Sequence, residues 1–213
     1  KFDQSQRNAT QEAVRQAVTL RPDSARARGI LGFVLMFQGK FAEAEKELRE
    51  ARRLDPDDAE TPLRLGECAQ GQGKLDEAVA LWNEAKQLDP TDAGVRAHLG
   101  HAYALKRERE KALRELKEAE RLDPESGGSE QILWQGYAAL HETPLALEHV
   151  EKFVKLARKE GLAPKTVDHM EECGRELKAR LTPNEIIASL PSIYARQSLD
   201  AVLRQRLTPA ECE

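Results

Sequence analysis

The chain of 213 residues is poor in the features that catalysis, membrane insertion and nucleic-acid binding draw on. Its three cysteines, Cys68, Cys173 and Cys212, are odd in number and far apart, which argues against a disulfide framework and fits a reducing compartment. Mean hydropathy is -0.64 and no apolar run approaches the roughly 20 residues that cross a bilayer, so no membrane insertion is expected. Aromatic residues make up 5% of the chain, and no segment alternates apolar and polar residues as a half-buried strand does. Neither sign of charge dominates: 33 Lys and Arg face 37 Asp and Glu, interleaved, for a net charge of -4. That balance leaves no basic footprint for nucleic acid. What remains is a nearly all-helical, soluble chain, for which a cytoplasmic location is the expectation.

Against these absences stands one strong regularity. Pro22, Pro56, Pro90 and Pro124 fall 34 residues apart, each after a Leu-Arg or Leu-Asp pair. The step recurs at Leu31, Leu65, Leu99 and Leu133, at Gly32, Gly66 and Gly100, and at Ala44, Ala78, Ala112 and Ala146. A period of this length marks copies of one supersecondary unit. Within a unit, Phe41, Ala44, Leu48, Ala51 and Leu54 recur at steps of three and four, one narrow face of a helix. The residue before a proline is biased away from the helical region, so each Leu-Asp-Pro predicts a helix end. Ser24, Asp58, Asp92 and Ser126 are the expected N-caps that follow. Gln38-Gly39-Lys40 and Gln72-Gly73-Lys74 divide the units into two helices. Neither helix buries its stripe alone, so the units must stack.

The columns Leu-Gly, Ala, large apolar residue and Pro at this spacing resemble the tetratricopeptide repeat family. The resemblance runs over about residues 8–160. It implies an all-α fold, a right-handed α-solenoid of helix-turn-helix repeats. The units expected are a partial repeat at 8–23, repeats at 24–57, 58–91 and 92–125, and a degenerate one at 126–160. In that last unit Trp134 stands where the motif has glycine and Arg158 where it has proline, so the motif does not predict close packing of its two helices. A capping helix is expected over 161–181, with Val167, Met170, Gly174, Leu177 and Leu181 on one side, and a short-helix tail over 182–213. Residue 1 is Lys, and Arg180-Leu181-Thr182-Pro183 recurs as Arg206-Leu207-Thr208-Pro209, a capping-box helix start near the last residue. The expectation is therefore a piece of a longer protein.

Catalytic patterns do not hold together. Gly71-Gln72-Gly73-Lys74-Leu75 departs from a phosphate loop, which needs Gly at Cys68 and Ser or Thr at Leu75. His98 with His101, and His169 with Cys173, supply two ligands each where zinc takes three or four. No cofactor, metal or catalytic residue is expected. Cys68 reads as a small core residue, and the run from Lys106 to Arg121 as a solvated face with pairs such as Glu110 with Arg114 and Arg114 with Glu118.

The resemblance implies a concave groove lined by the first helices of the repeats. Its candidate residues here are Arg26, Phe33, Phe37, Leu63, Glu67, Gln70, His101, Gln131 and Gln135, with Met36, Glu60 and Ala97 beside them. The positions that hold a partner's C-terminal carboxylate in the chaperone-adaptor members carry Gly29, Phe33, Gly94 and His98, so that mode is not expected. The asparagine ladder of the sugar-transferase members is missing as well, for Asn8, Asn83 and Asn184 fall off the groove helices. Phe33, Phe37 and Leu63 are the expected apolar anchors, unless the helix over 8–21 covers the two phenylalanines. The reading is a non-catalytic interaction scaffold for a peptide or protein segment. The alternatives are an arm of a larger enzyme, or a homo-oligomer formed through solenoid ends or tail.

Overall fold

Each Leu-Asp-Pro step stops a helix because the aspartate before the proline is driven into extended backbone, as at Asp55, Asp89 and Asp123. The next helix then starts on a side-chain cap: Ser24 Oγ accepts from the Ala27 N–H at 3.2 Å, Asp58 from Thr61 at 3.2 Å and Asp92 from Val95 at 2.9 Å. The computed structural model describes residues 4–124 and 127–181, and the ordered elements among them are α-helices. These are α1 (Gln4–Leu20), α2 (Ala25–Phe37), α3 (Phe41–Leu54), α4 (Glu60–Gly71), α5 (Leu75–Leu88), α6 (Ala93–Leu105), α7 (Arg109–Leu122), α8 (Gly127–Ala139), α9 (Thr143–Lys159) and α10 (Pro164–Arg180). The expected cap Ser126 and the tail over 182–213 lie outside the described residues.

The turn inside each repeat places one residue in the left-handed region, and those residues keep the 34-residue step: Gly39 (φ 72°), Gly73 (φ 77°), Arg107 (φ 61°) and His141 (φ 61°). The first two use glycine, which adopts this region freely, whereas Arg107 and His141 accept strain there. Across each pair a glycine permits close approach. A Cβ on Gly66 would stand 2.4 Å from Trp82 Nε1, and on Gly32 and Gly100 it would stand 2.6 Å from Leu48 and Leu116. Trp82 is wholly buried in this contact and donates its indole N–H to the Leu63 carbonyl at 3.2 Å. Successive pairs stack into an all-α solenoid with three runs of apolar core, one per group of neighbouring helices.

The first and third repeats also share an ionic contact between their two helices. Arg28 meets Glu47 at 2.8 Å, and Arg96 meets Glu115 at 3.0 Å at the corresponding positions two repeats on. Glu115 is 8% exposed and takes a second cation, Lys86 of the preceding repeat, at 2.8 Å. This corrects the reading of 106–121 as a wholly solvated face: Glu115 is drawn inside because two cations on different helices converge on it. On the outside of the run the pairs are Glu108 with Lys111 and Glu118 with Arg121.

Moving each member of the Lys86–Glu115–Arg96 cluster on by one repeat arrives at Glu120, His149 and Glu130, so every charge is inverted. His149 Nδ1 lies 2.5 Å from Glu130 and Nε2 lies 3.1 Å from Glu120, while the ring stacks on Tyr137, whose hydroxyl donates to Glu120. Glu130 and His149 are 1% and 2% exposed. Burial opposes a charge on His149, but the hydrogen bonds to Glu120 and Glu130 outweigh it, and its pKa is pushed up to about 9.

This cluster helps to explain why the fourth helix pair packs closely although its motif glycine is missing, which corrects the expectation for that pair. Leu133, Tyr137, Ala146, Val150 and Phe153 fill the space between α8 and α9. A Cβ on Gly136 would stand 2.7 Å from Leu116, so α8 closes on the third repeat through a glycine two residues past the motif position. Against the repeat before it, α8 lies mainly on the first helix, α6, whereas α4 lies mainly on the second helix, α3. The inner row of helices thus bends toward its own beginning. At the far end α10 lays Val167, Met170, Gly174 and Leu177 against α9.

Candidate protein-interaction groove

The inward bend of α8 brings residues from distant repeats to one hollow of about 510 Å³. Helix α2 contributes Phe33, Met36 and Phe37, α4 contributes Arg64, Glu67, Gln70 and Gly71, α3 contributes Phe41 and α8 contributes Gln135. Phe37 is 77% exposed, although the preceding helix is in place. Helix α1 instead packs Val14 and Val18 onto the cluster that holds Leu31 and Leu35. Phe33 meets Phe37 edge-on with ring centres 4.7 Å apart, and the Arg64 guanidinium sits 4.7 Å above the Phe33 ring. Phe41 reaches the floor because Gly71 yields room: a Cβ there would stand 2.6 Å from the ring.

Polar groups hold this apolar slot in shape. Arg64 is fixed between Glu60 at 2.5 Å and Glu67 at 3.0 Å, and Glu67 also meets His98 Nε2 at 3.2 Å. Burial works to raise the Glu67 pKa, but the contacts with His98 and Arg64 outweigh it and hold it below the usual carboxylate range. His98 is stacked on Trp82, with ring centres 4.9 Å apart. The side-chain amides of Gln70 and Gln135 have no hydrogen-bond partner among the described residues and are left for an incoming group. A second hollow of about 380 Å³ adjoins the first, shares Phe33 and Arg64 with it, and includes Arg26, Asp55, Asp58 and Glu60.

Of the residues singled out in the sequence, Phe33, Phe37, Glu67, Gln70 and Gln135 come together in the larger hollow and Arg26 in the smaller. Leu63 does not: it is 7% exposed and lies in the apolar cluster with Trp82, Val95 and Leu99, and Ala97 is wholly buried. The physical reason is that α5 and α6 both close over this part of α4, so that Leu63 packs with Trp82 of α5 and with Val95 and Leu99 of α6. His101 is half-buried, and burial with the nearby His98 lowers its pKa to about 4, so it stays neutral near pH 7. Gln131 is exposed on α8 and does not line the larger hollow. Sequence reasoning missed Arg64 and Phe41. The signal for Arg64 was its place four residues after Glu60 and three before Glu67, a pattern that fixes a guanidinium on a helix surface.

Among the described residues no group of three or more His, Cys, Asp or Glu is placed to hold a metal, and no helix is long and apolar enough to cross a membrane. Cys68 is buried, and burial pushes its thiol up to about 12. Cys173 and His169 lie 3.9 Å apart on the surface of α10.

Two family models described as tetratricopeptide repeat match the sequence, over residues 1–61 and 34–93. No curated protein matches it. Among solved structures, a thermophilic TPR protein of Thermus thermophilus is 20% identical and superposes with a TM-score of 0.67, covering 82% of this chain and 92% of that one. MamA is 19% identical with a TM-score of 0.57, covering 74% and 92%. MamA from Desulfovibrio magneticus RS-1 is 21% identical with a TM-score of 0.56, covering 72% and 87%. At these identities the likeness is one of fold. Over residues 1–93 the matches identify tetratricopeptide repeats, and the 34-residue columns and stacked helix pairs carry the same unit further along the chain; solenoids of this kind generally serve as protein-interaction scaffolds.

Proposed function

We propose that the concave face of this solenoid holds an extended segment of a partner protein, and that this binding, with no chemistry of its own, is what the chain contributes. The solenoid spans 1–160 in this reading, and 161–181 is its cap. The observation that carries it is the larger hollow, where an exposed aromatic pair on α2 faces unpartnered amides on α4 and α8. Apolar anchors supply most of the affinity in such contacts, and amide side chains match the alternating N–H and C=O groups of an extended backbone. Arg26 lies at the edge of this surface, and Gln131 lies one helical turn from Gln135.

The test is selection of binders from a displayed peptide library with the chain and with its Phe37→Glu variant. Phe37 is largely exposed, so its replacement leaves the circular dichroism melt unchanged. Selected peptides are expected to lose at least about tenfold in affinity for the variant, the order of an anchor residue's contribution. Equal affinity for both proteins would move binding off this face.

A further inference from the structure

The walls of the two adjoining hollows carry more acid than base. Asp55, Asp58, Glu60 and Glu67 line them against Arg26 and Arg64, an excess of two negative charges. Arg64 is not free to meet an incoming anion, since it is clasped by Glu60 and Glu67 and lies on the Phe33 ring. Asp55, at the end of α3, has an exposed carboxylate with no ion-pair partner among the described residues. Arg26 is the one cation of the lining that is likewise unpaired among the described residues. A segment entering the aromatic slot therefore runs beside a net negative wall, and complementary charge both steers such a segment and fixes its register.

Resting on the groove reading above, we infer that the segment held there is basic and apolar: one large apolar side chain seated at Phe33 and Phe37, with Lys or Arg two or three residues away facing Asp55 and Glu60. The two hollows share Phe33 and Arg64, so one short extended segment, advancing about 3.3–3.6 Å per residue, reaches both. An acidic segment places its carboxylates against Asp55 and Glu60 with only Arg26 to receive them.

A short synthetic peptide series tests this. Each peptide has one central Leu or Phe, with Arg, Gln or Glu three residues to either side and Gly, Ser and Ala elsewhere. Affinities are read by fluorescence anisotropy against the chain, its Asp55→Lys variant and its Phe37→Glu variant. The Arg peptides are expected to bind about fivefold tighter than the Glu peptides at about 0.05 M salt, with the gap narrowing at about 0.5 M as screening shortens. Asp55→Lys is expected to shrink or reverse the gap while leaving the melt unchanged. Binding that needs Phe37 but ignores or reverses the charge preference overturns this inference and leaves the groove reading standing. Binding to the Phe37→Glu variant as tight as to the parent overturns the groove reading itself, and a preference untouched by Asp55→Lys overturns the assignment to this wall.

Discussion

The inverted charge cluster of the fourth repeat makes a quantitative prediction. His149 is buried between Glu130 and Glu120, and its pKa rises from 6.5 to about 9 on folding. A group whose pKa is raised in the folded state binds its proton more tightly there. The stabilisation is thus fully present below about pH 6.5, fades as the pH climbs toward 9, and is gone above it. At 1.36 kcal/mol per unit the full effect is about 3 kcal/mol. His149→Leu leaves Glu130 inside without its cation, and breaking a buried pair from one side costs about 3–5 kcal/mol. The decisive variant is the triple Glu120→Lys, Glu130→Arg and His149→Glu, which rebuilds at the fourth repeat the arrangement present at Lys86, Arg96 and Glu115. Urea unfolding followed by circular dichroism at pH 6 and pH 9.5 reads all three proteins. The parent is expected to lose most of the 3 kcal/mol between the two pH values relative to the triple variant, which has no group at this site titrating across that window. The Leu variant is expected to be the weakest at pH 6. A triple variant no more stable at pH 6 than His149→Leu would refute the equivalence of the two clusters. Equal pH dependence in parent and triple variant would refute the role of His149.

Three further outcomes follow from the packing. Gly66→Ala forces a methyl into the rigid Trp82 indole and is expected to cost about 2–3 kcal/mol, whereas Gly29→Ala meets open space within α2 and is expected to gain about 0.5–1 kcal/mol, both read by thermal melts. Arg107→Gly and His141→Gly relieve left-handed strain and are expected to raise stability by about 0.5 kcal/mol each, while Gly73→Ala lowers it by about 1 kcal/mol in urea titration. Leu63→Ala is expected to cost about 2–3 kcal/mol because Leu63 is core, and Phe37→Glu almost nothing. A melt that drops for Phe37→Glu and not for Leu63→Ala would reverse the assignment of these two residues.

The helix pairs were legible in the chain because they depend on local chemistry: a proline that cannot continue a helix, a cap that accepts the N–H three residues on, and, in the first two turns, a glycine. The same period carries further than the apolar columns, since the left-handed residues Arg107 and His141 and the inverted cluster Glu120–Glu130–His149 stand in register with their counterparts in other repeats. The groove was legible only in part. Helical spacing places Leu63 and Phe33 on comparable faces of α4 and α2, yet one is core and the other half-exposed. The difference lies in what the next helices cover: Leu63 meets Trp82, Val95 and Leu99 of α5 and α6, whereas Phe33, one turn further on in the register, faces the open hollow.

By itself the sequence determined a solenoid of 34-residue helix pairs, the first two of the turns inside them, and the balance of charge along the chain. All of these follow from residues within one turn of each other, or from columns repeated at a fixed step. The tertiary structure alone decided how the pairs tilt on one another. That tilt rests on contacts between different repeats, Gly136 on Leu116 and His149 on Glu120 among them, and it carries Gln135 across to Phe33 and Phe37. Small differences in how large side chains fill the spaces between helices accumulate along a stack, which is why the shape of the groove is written in the packing and not in the period.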